Sequence, residues 1–159
     1  MRRIDVSRLL GCCAMALILL VDDEDESLLM LQLVFERSGH RVLLADGGEP
    51  ALALAGRHLP DLIVTDWHMP GMDGLGLCQR LKSYPTLATI PVVMTSGELP
   101  PKDTPALWNV FFSKPVDLKA LESAVDSLLA RRLCCSENRV NVPAPAPSRW
   151  APMPSRYWM

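Results

Sequence analysis

Five short apolar runs recur along the chain: Leu17-Ile18-Leu19-Leu20-Val21, Val42 to Ala45, Leu62-Ile63-Val64-Thr65, Pro91 to Thr95 and Val110 to Ser113. Runs with no polar alternation are what a parallel strand covered on both faces requires. The intervening stretches return apolar residues at helical spacing instead. Between the first two runs, Leu28, Leu29, Leu31, Leu33, Val34 and Phe35 predict a well-buried helix over Glu26 to Arg37, stopped by Ser38-Gly39. Gly47-Gly48 precedes a second helix over Pro50 to His58, Leu75 to Ser83 reads as a third, and Val116 to Leu133 as a long amphipathic last one. Strand and helix alternate, so the fold class is α/β, a doubly wound sandwich. One interval departs from the rule: Pro100-Pro101 and Pro105 leave Leu99 to Asn109 room for about one or two helical turns.

The two ends of the chain fall outside this pattern. Arg2-Arg3 followed by the apolar stretch Leu9 to Val21 looks superficially like a signal peptide or anchor. That stretch is too short to span a bilayer and runs into Asp22-Asp23 without a small-residue cleavage site. Residues 1–14 are therefore read as a disordered leader or a mis-called start, with Met15 as the natural beginning of a domain over 15–133. From 134 to 159, Pro143, Pro145, Pro147, Pro152 and Pro154 alternate with small and polar residues, and a disordered, proline-rich tail is expected.

A chain of 159 residues suffices for one domain with a substantial core. Its net charge of −2 and scattered arginines give no electrostatic footprint for direct nucleic-acid binding. The five cysteines, Cys12-Cys13, Cys78 and Cys134-Cys135, lack zinc-ligand spacing and read as reduced thiols of a cytoplasmic protein. What changes the picture is where the charged residues fall. Asp22-Asp23 close the first apolar run, Asp66 the third and Lys114 the fifth. Carboxyl ends of strands in open α/β sheets form the ligand crevice, so these groups are placed for chemistry. Each also has an ordinary reading: helix-capping acids, a loop cap, a surface lysine.

Taken in order, Leu19-Leu20-Val21-Asp22-Asp23-Glu24, Asp61 to Asp66, Met69-Pro70-Gly71-Met72-Asp73-Gly74, Ile90 to Gly97 and Phe112-Ser113-Lys114-Pro115 resemble the receiver domain of bacterial two-component response regulators. The resemblance covers about residues 16 to 133 and implies a five-stranded parallel sheet in the order 2-1-3-4-5. It makes Asp66 the phosphoacceptor, and Asp22, Asp23, Asp66 and the backbone carbonyl of His68 the ligands of Mg²⁺. Lys114 would balance phosphoryl charge, Thr95 would act as the switch hydroxyl, and Phe111 as the aromatic that follows it. The His68 side chain would gate water rather than relay protons. Implied partners are a histidine kinase or phosphotransfer protein, a downstream protein target and, through the face around the fourth helix, a second copy of the chain; no membrane association follows.

The function so implied is a single-domain switch in a phosphorelay, catalysing nothing beyond its own phosphorylation and dephosphorylation. Two alternatives stand beside it. A Mg²⁺-dependent phosphatase of haloacid dehalogenase type also uses an aspartyl nucleophile, yet resembles Asp-x-Asp where this chain has Asp66-Trp67-His68. A receiver-shaped module independent of phosphate is the other, kept open by the altered fourth-helix interval. That interval is expected to be ordered by phosphorylation, with Trp108 coming to pack beside Phe111.

Overall fold

Each apolar run becomes a strand of one sheet. The computed structural model describes residues 15–137, with side chains placed as far as Arg132; the leader and the chain beyond 137 lie outside the described residues. The elements are β1 (Leu17–Val21), α1 (Asp25–Arg37), β2 (Arg41–Ala45), α2 (Gly48–His58), β3 (Leu62–Asp66), α3 (Gly74–Ser83), β4 (Val92–Ser96), β5 (Val110–Ser113) and α4 (Leu118–Glu137). All paired strands are parallel, in the order β2-β1-β3-β4-β5.

Period-two alternation sends neighbouring residues of each strand to opposite layers. Leu19, Val21, Ile63, Val92 and Met94 meet Ala51 and Ala55 of α2 and Leu77, Cys78 and Leu81 of α3. Ile18, Leu20, Leu62, Val64 and Val93 meet Leu28 and Phe35 of α1 and Leu121, Val125 and Leu129 of α4. The central strands β3 and β4 are buried along their whole length, as unbroken apolar runs demand, whereas the edge strands β2 and β5 stay partly exposed.

Two expectations are corrected. The first helix is not well buried: only Leu28 and Phe35 are, while Leu29, Met30 and Leu33 are exposed. Six nearly consecutive apolar residues cannot share one face of a 3.6-residue helix. The last helix starts at Leu118 rather than Val116 and continues through residues 134–137, which were expected to begin the tail; no proline or glycine occurs there to stop it. The interval between β4 and β5 is cut down as its prolines led one to expect, and no helix forms in it.

Close packing also constrains the loop after β3. A Cβ on Gly74 would overlap the Asp66 carbonyl oxygen and lie 2.8 Å from Met94 Sδ, so α3 can begin against the strand end only with glycine there. Asp73 caps that helix, accepting from Gly76 N at 2.7 Å.

Candidate functional site

Parallel register brings the strand ends together. Val21 pairs with Thr65, Asp66 with Thr95, and Ser96 with Ser113, so the residues just past β1, β3, β4 and β5 surround one point. That point lies where β1 has neighbours formed in opposite directions along the sheet, the usual place for a crevice in this class of fold. Carboxylate oxygens of Asp22, Asp23 and Asp66 all lie within 4.8 Å of one another. Lys114 reaches into the cluster from β5, its Nζ 3.4 Å from both Asp22 Oδ2 and Asp66 Oδ1.

These positions are fixed by backbone. Lys114 N donates to Ser96 O at 2.7 Å, Trp67 N to Thr95 O at 2.8 Å, and Asp22 N to Ala45 O at 3.2 Å. Asp22 Oδ1 in turn accepts from Glu24 N at 3.0 Å, which turns the chain toward α1. Asp22 is 4% exposed and Asp66 7%, whereas Asp23 is open to solvent.

Three carboxylates against one shared lysine leave an excess of negative charge. Burial pushes the Asp22 carboxyl above its usual range, with Asp66 adding to the effect, while the Glu24 hydrogen bond and Lys114 oppose it. At Lys114, burial works against the ammonium form, but the Asp22 and Asp66 charges outweigh it and raise the pKa. A hard divalent cation is what such an all-oxygen donor set accommodates, so the residues present fit Mg²⁺.

The remaining expected residues divide. Thr95 is buried, its Oγ1 3.4 Å from Thr65 O, a long bond that holds the hydroxyl weakly. Phe111 is half-buried, and its ring packs with Trp67 (centroids 6.5 Å) and Trp108 (6.1 Å). The His68 ring turns to Ser96, with Nδ1 3.3 Å from Oγ.

Ser96 is the residue the sequence reading passed over. Fully buried, it touches three loops at once: its Oγ meets His68 and accepts from Glu98 N at 3.2 Å, and its carbonyl accepts from Lys114. The available signal was a small hydroxyl directly after Thr95 at a strand end. Trp67 and Trp108 were likewise not connected with each other, although their rings meet edge-on at 5.3 Å.

The family model described as the response regulator receiver domain matches residues 18–126. Protein PilH of Pseudomonas aeruginosa is 31% identical over 122 residues, covering 73% of this chain and 99% of that protein. Response regulator PleD of Caulobacter vibrioides is 36% identical over 130 residues, 78% of this chain, but the chain spans only 28% of PleD's length. Among solved structures, the signal receiver domain of a signal transduction histidine kinase from Syntrophus aciditrophicus superposes with a TM-score of 0.68 at 33% identity, over 72% of this chain and 90% of that one. Among the described residues no helix is long and apolar enough to cross a membrane.

Proposed function

Because the chain belongs to the response regulator receiver domain family, we propose that it is a phosphorylation-controlled switch of a cytoplasmic phosphorelay, with Asp66 as acceptor. A histidine kinase or phosphotransfer protein supplies the phosphoryl group, and a downstream protein reads the result. In the transfer an Asp66 carboxylate oxygen forms the new P–O bond as the donor's N–P bond breaks, and the donor imidazole takes a proton from solvent. Hydrolysis later returns phosphate and the free carboxylate. The observation that carries this reading is Lys114 Nζ standing 3.4 Å from both Asp22 and Asp66 beside three clustered carboxylates.

The residues divide the work by position. Lys114 is a point charge held where phosphoryl oxygens gather. Asp22, Asp23 and Asp66, with the backbone carbonyl of His68, would hold Mg²⁺, which neutralises phosphoryl charge when bound. Thr95, weakly held by Thr65 O, is free to swing and donate to a phosphoryl oxygen. The His68 ring, tied back to Ser96, limits how water approaches Asp66.

The test is direct: incubate the protein with a small acyl phosphate and Mg²⁺ and weigh it intact. One phosphoryl adduct is expected, absent in Asp66→Asn. An undiminished adduct in that variant would sink the assignment.

A further inference from the structure

What closes the sheet beside β4 and β5, in the absence of a helix there, is aromatic. Trp67 follows Asp66 directly; its N–H donates to Thr95 O, and its carbonyl accepts from Gly74 N, both at 2.8 Å. The Trp67 backbone is thus tied to the strand bearing Thr95 and to the start of α3. Its ring is 8% exposed and packs on Trp108 and Phe111, which also touch each other.

The segment running from Gly97 to Asn109 is pinned at its two ends. Glu98 N donates to Ser96 Oγ, and Asn109 exchanges two bonds with Val92, its N–H to the carbonyl at 2.8 Å and its Oδ1 from the N–H at 2.9 Å. Between those pins, among the described residues, the backbone makes one hydrogen bond, Thr104 N to Pro101 O at 3.0 Å. Leu107 and Trp108 are the side chains of this segment that pack against the core.

Resting on the reading of Asp66 as acceptor, we propose that Trp108 relays the state of Asp66 to residues 98–107 through the Trp67–Trp108–Phe111 cluster. Three mutually touching rings cannot shift one at a time, because packed interiors are bistable rather than continuously deformable. A displacement of Trp67 at the acceptor loop, or of Phe111 beside β4, therefore moves Trp108. Trp108 carries with it a segment that has little backbone bonding of its own. Such coupling is reciprocal, so removing the ring must change how tightly Asp66 takes a phosphoryl analogue.

Full-length protein is titrated with beryllofluoride in Mg²⁺, the adduct followed by fluorine NMR with Asp66→Asn as the blank, and amide exchange measured over 98–107. In wild type the adduct is expected to change exchange there by about fivefold or more. Trp108→Ala should abolish that change and shift beryllofluoride affinity severalfold. Trp108→Phe, which keeps a ring and most of the volume, should give an intermediate response if the alanine variant folds poorly. Leu99→Ala, in the same segment but 78% exposed, should behave as wild type. An exchange response unchanged in both Trp108 variants, or an adduct in wild type with no response over 98–107, overturns the relay. Failure of wild type to form any adduct would overturn the acceptor reading itself, and the relay with it.

Discussion

Asp22 is held in a place that costs stability, and replacing it with asparagine should raise the melting temperature of the metal-free protein. Two opposing charge interactions act on it. At an effective dielectric of about 20, a carboxylate within 4.8 Å repels it by about 3.5 kcal/mol or more, and an ammonium 3.4 Å away attracts it by about 5 kcal/mol. Lys114 is shared with Asp66 and a third exposed, so the attraction is discounted and the two nearly cancel. What remains is the burial of a charge in a group only 4% exposed, which is why its pKa is raised. Asparagine removes that cost, keeps an oxygen to accept from Glu24 N, and frees Lys114 for Asp66. The expected gain is about 1–2 kcal/mol, or about 3–8 °C in Tm.

The pH dependence gives the idea its sharpest test. A carboxyl with a raised folded pKa binds its proton more tightly in the native state, so its unfavourable contribution is absent below the unfolded value of 3.8 and develops as pH rises through the folded pKa. The advantage of Asp22→Asn should therefore be larger at pH 7 and shrink toward pH 4. Mg²⁺ should also narrow it, since a cation at ten times its Kd adds about 1.4 kcal/mol to whichever protein binds it. Thermal melts by circular dichroism, in chelator and in Mg²⁺ across this range, measure all three effects. A variant less stable than wild type in chelator at pH 7, or an advantage independent of pH, would refute the reasoning.

Asp23→Asn should weaken Mg²⁺ binding by on the order of tenfold, each factor of ten being about 1.4 kcal/mol, and by more than Asp22→Asn does. Calorimetric titration decides it, and equal affinities in wild type and Asp23→Asn would contradict the site. Gly74→Ala should destabilise by about 1–3 kcal/mol, because its Cβ would meet the Asp66 carbonyl and Met94 Sδ with nowhere to relax. Urea unfolding measures this, and a neutral result would mean that α3 can retreat from the strand end.

The uneven legibility of this chain has a physical cause. Strand ends could be read because a run such as Leu62-Ile63-Val64-Thr65 has one plausible use, and the next residue must then lie at the crevice. Asp66, Asp22 and Lys114 were found in that way, each from its own neighbourhood, and the register then brought them together. The prolines of the β4–β5 interval likewise announced locally that no ordinary helix would form. Contacts across loops carry no such local mark. Nothing about Ser96 predicts that its hydroxyl meets a histidine 28 positions earlier. Trp108 was expected beside Phe111 only on phosphorylation, whereas the two rings already pack, and nothing local linked it with Trp67, whose ring it meets edge-on. Helix α1 erred for the same reason in reverse: six apolar residues suggested burial, but which of them faced the sheet depended on how the helix was rotated against β1 and β2. Local composition thus located the charged chemistry, whereas the parts that would transmit its state are made by packing between distant segments. The missing helix could for that reason be read as a gap in the sequence, while the contact between Trp67 and Trp108 could not.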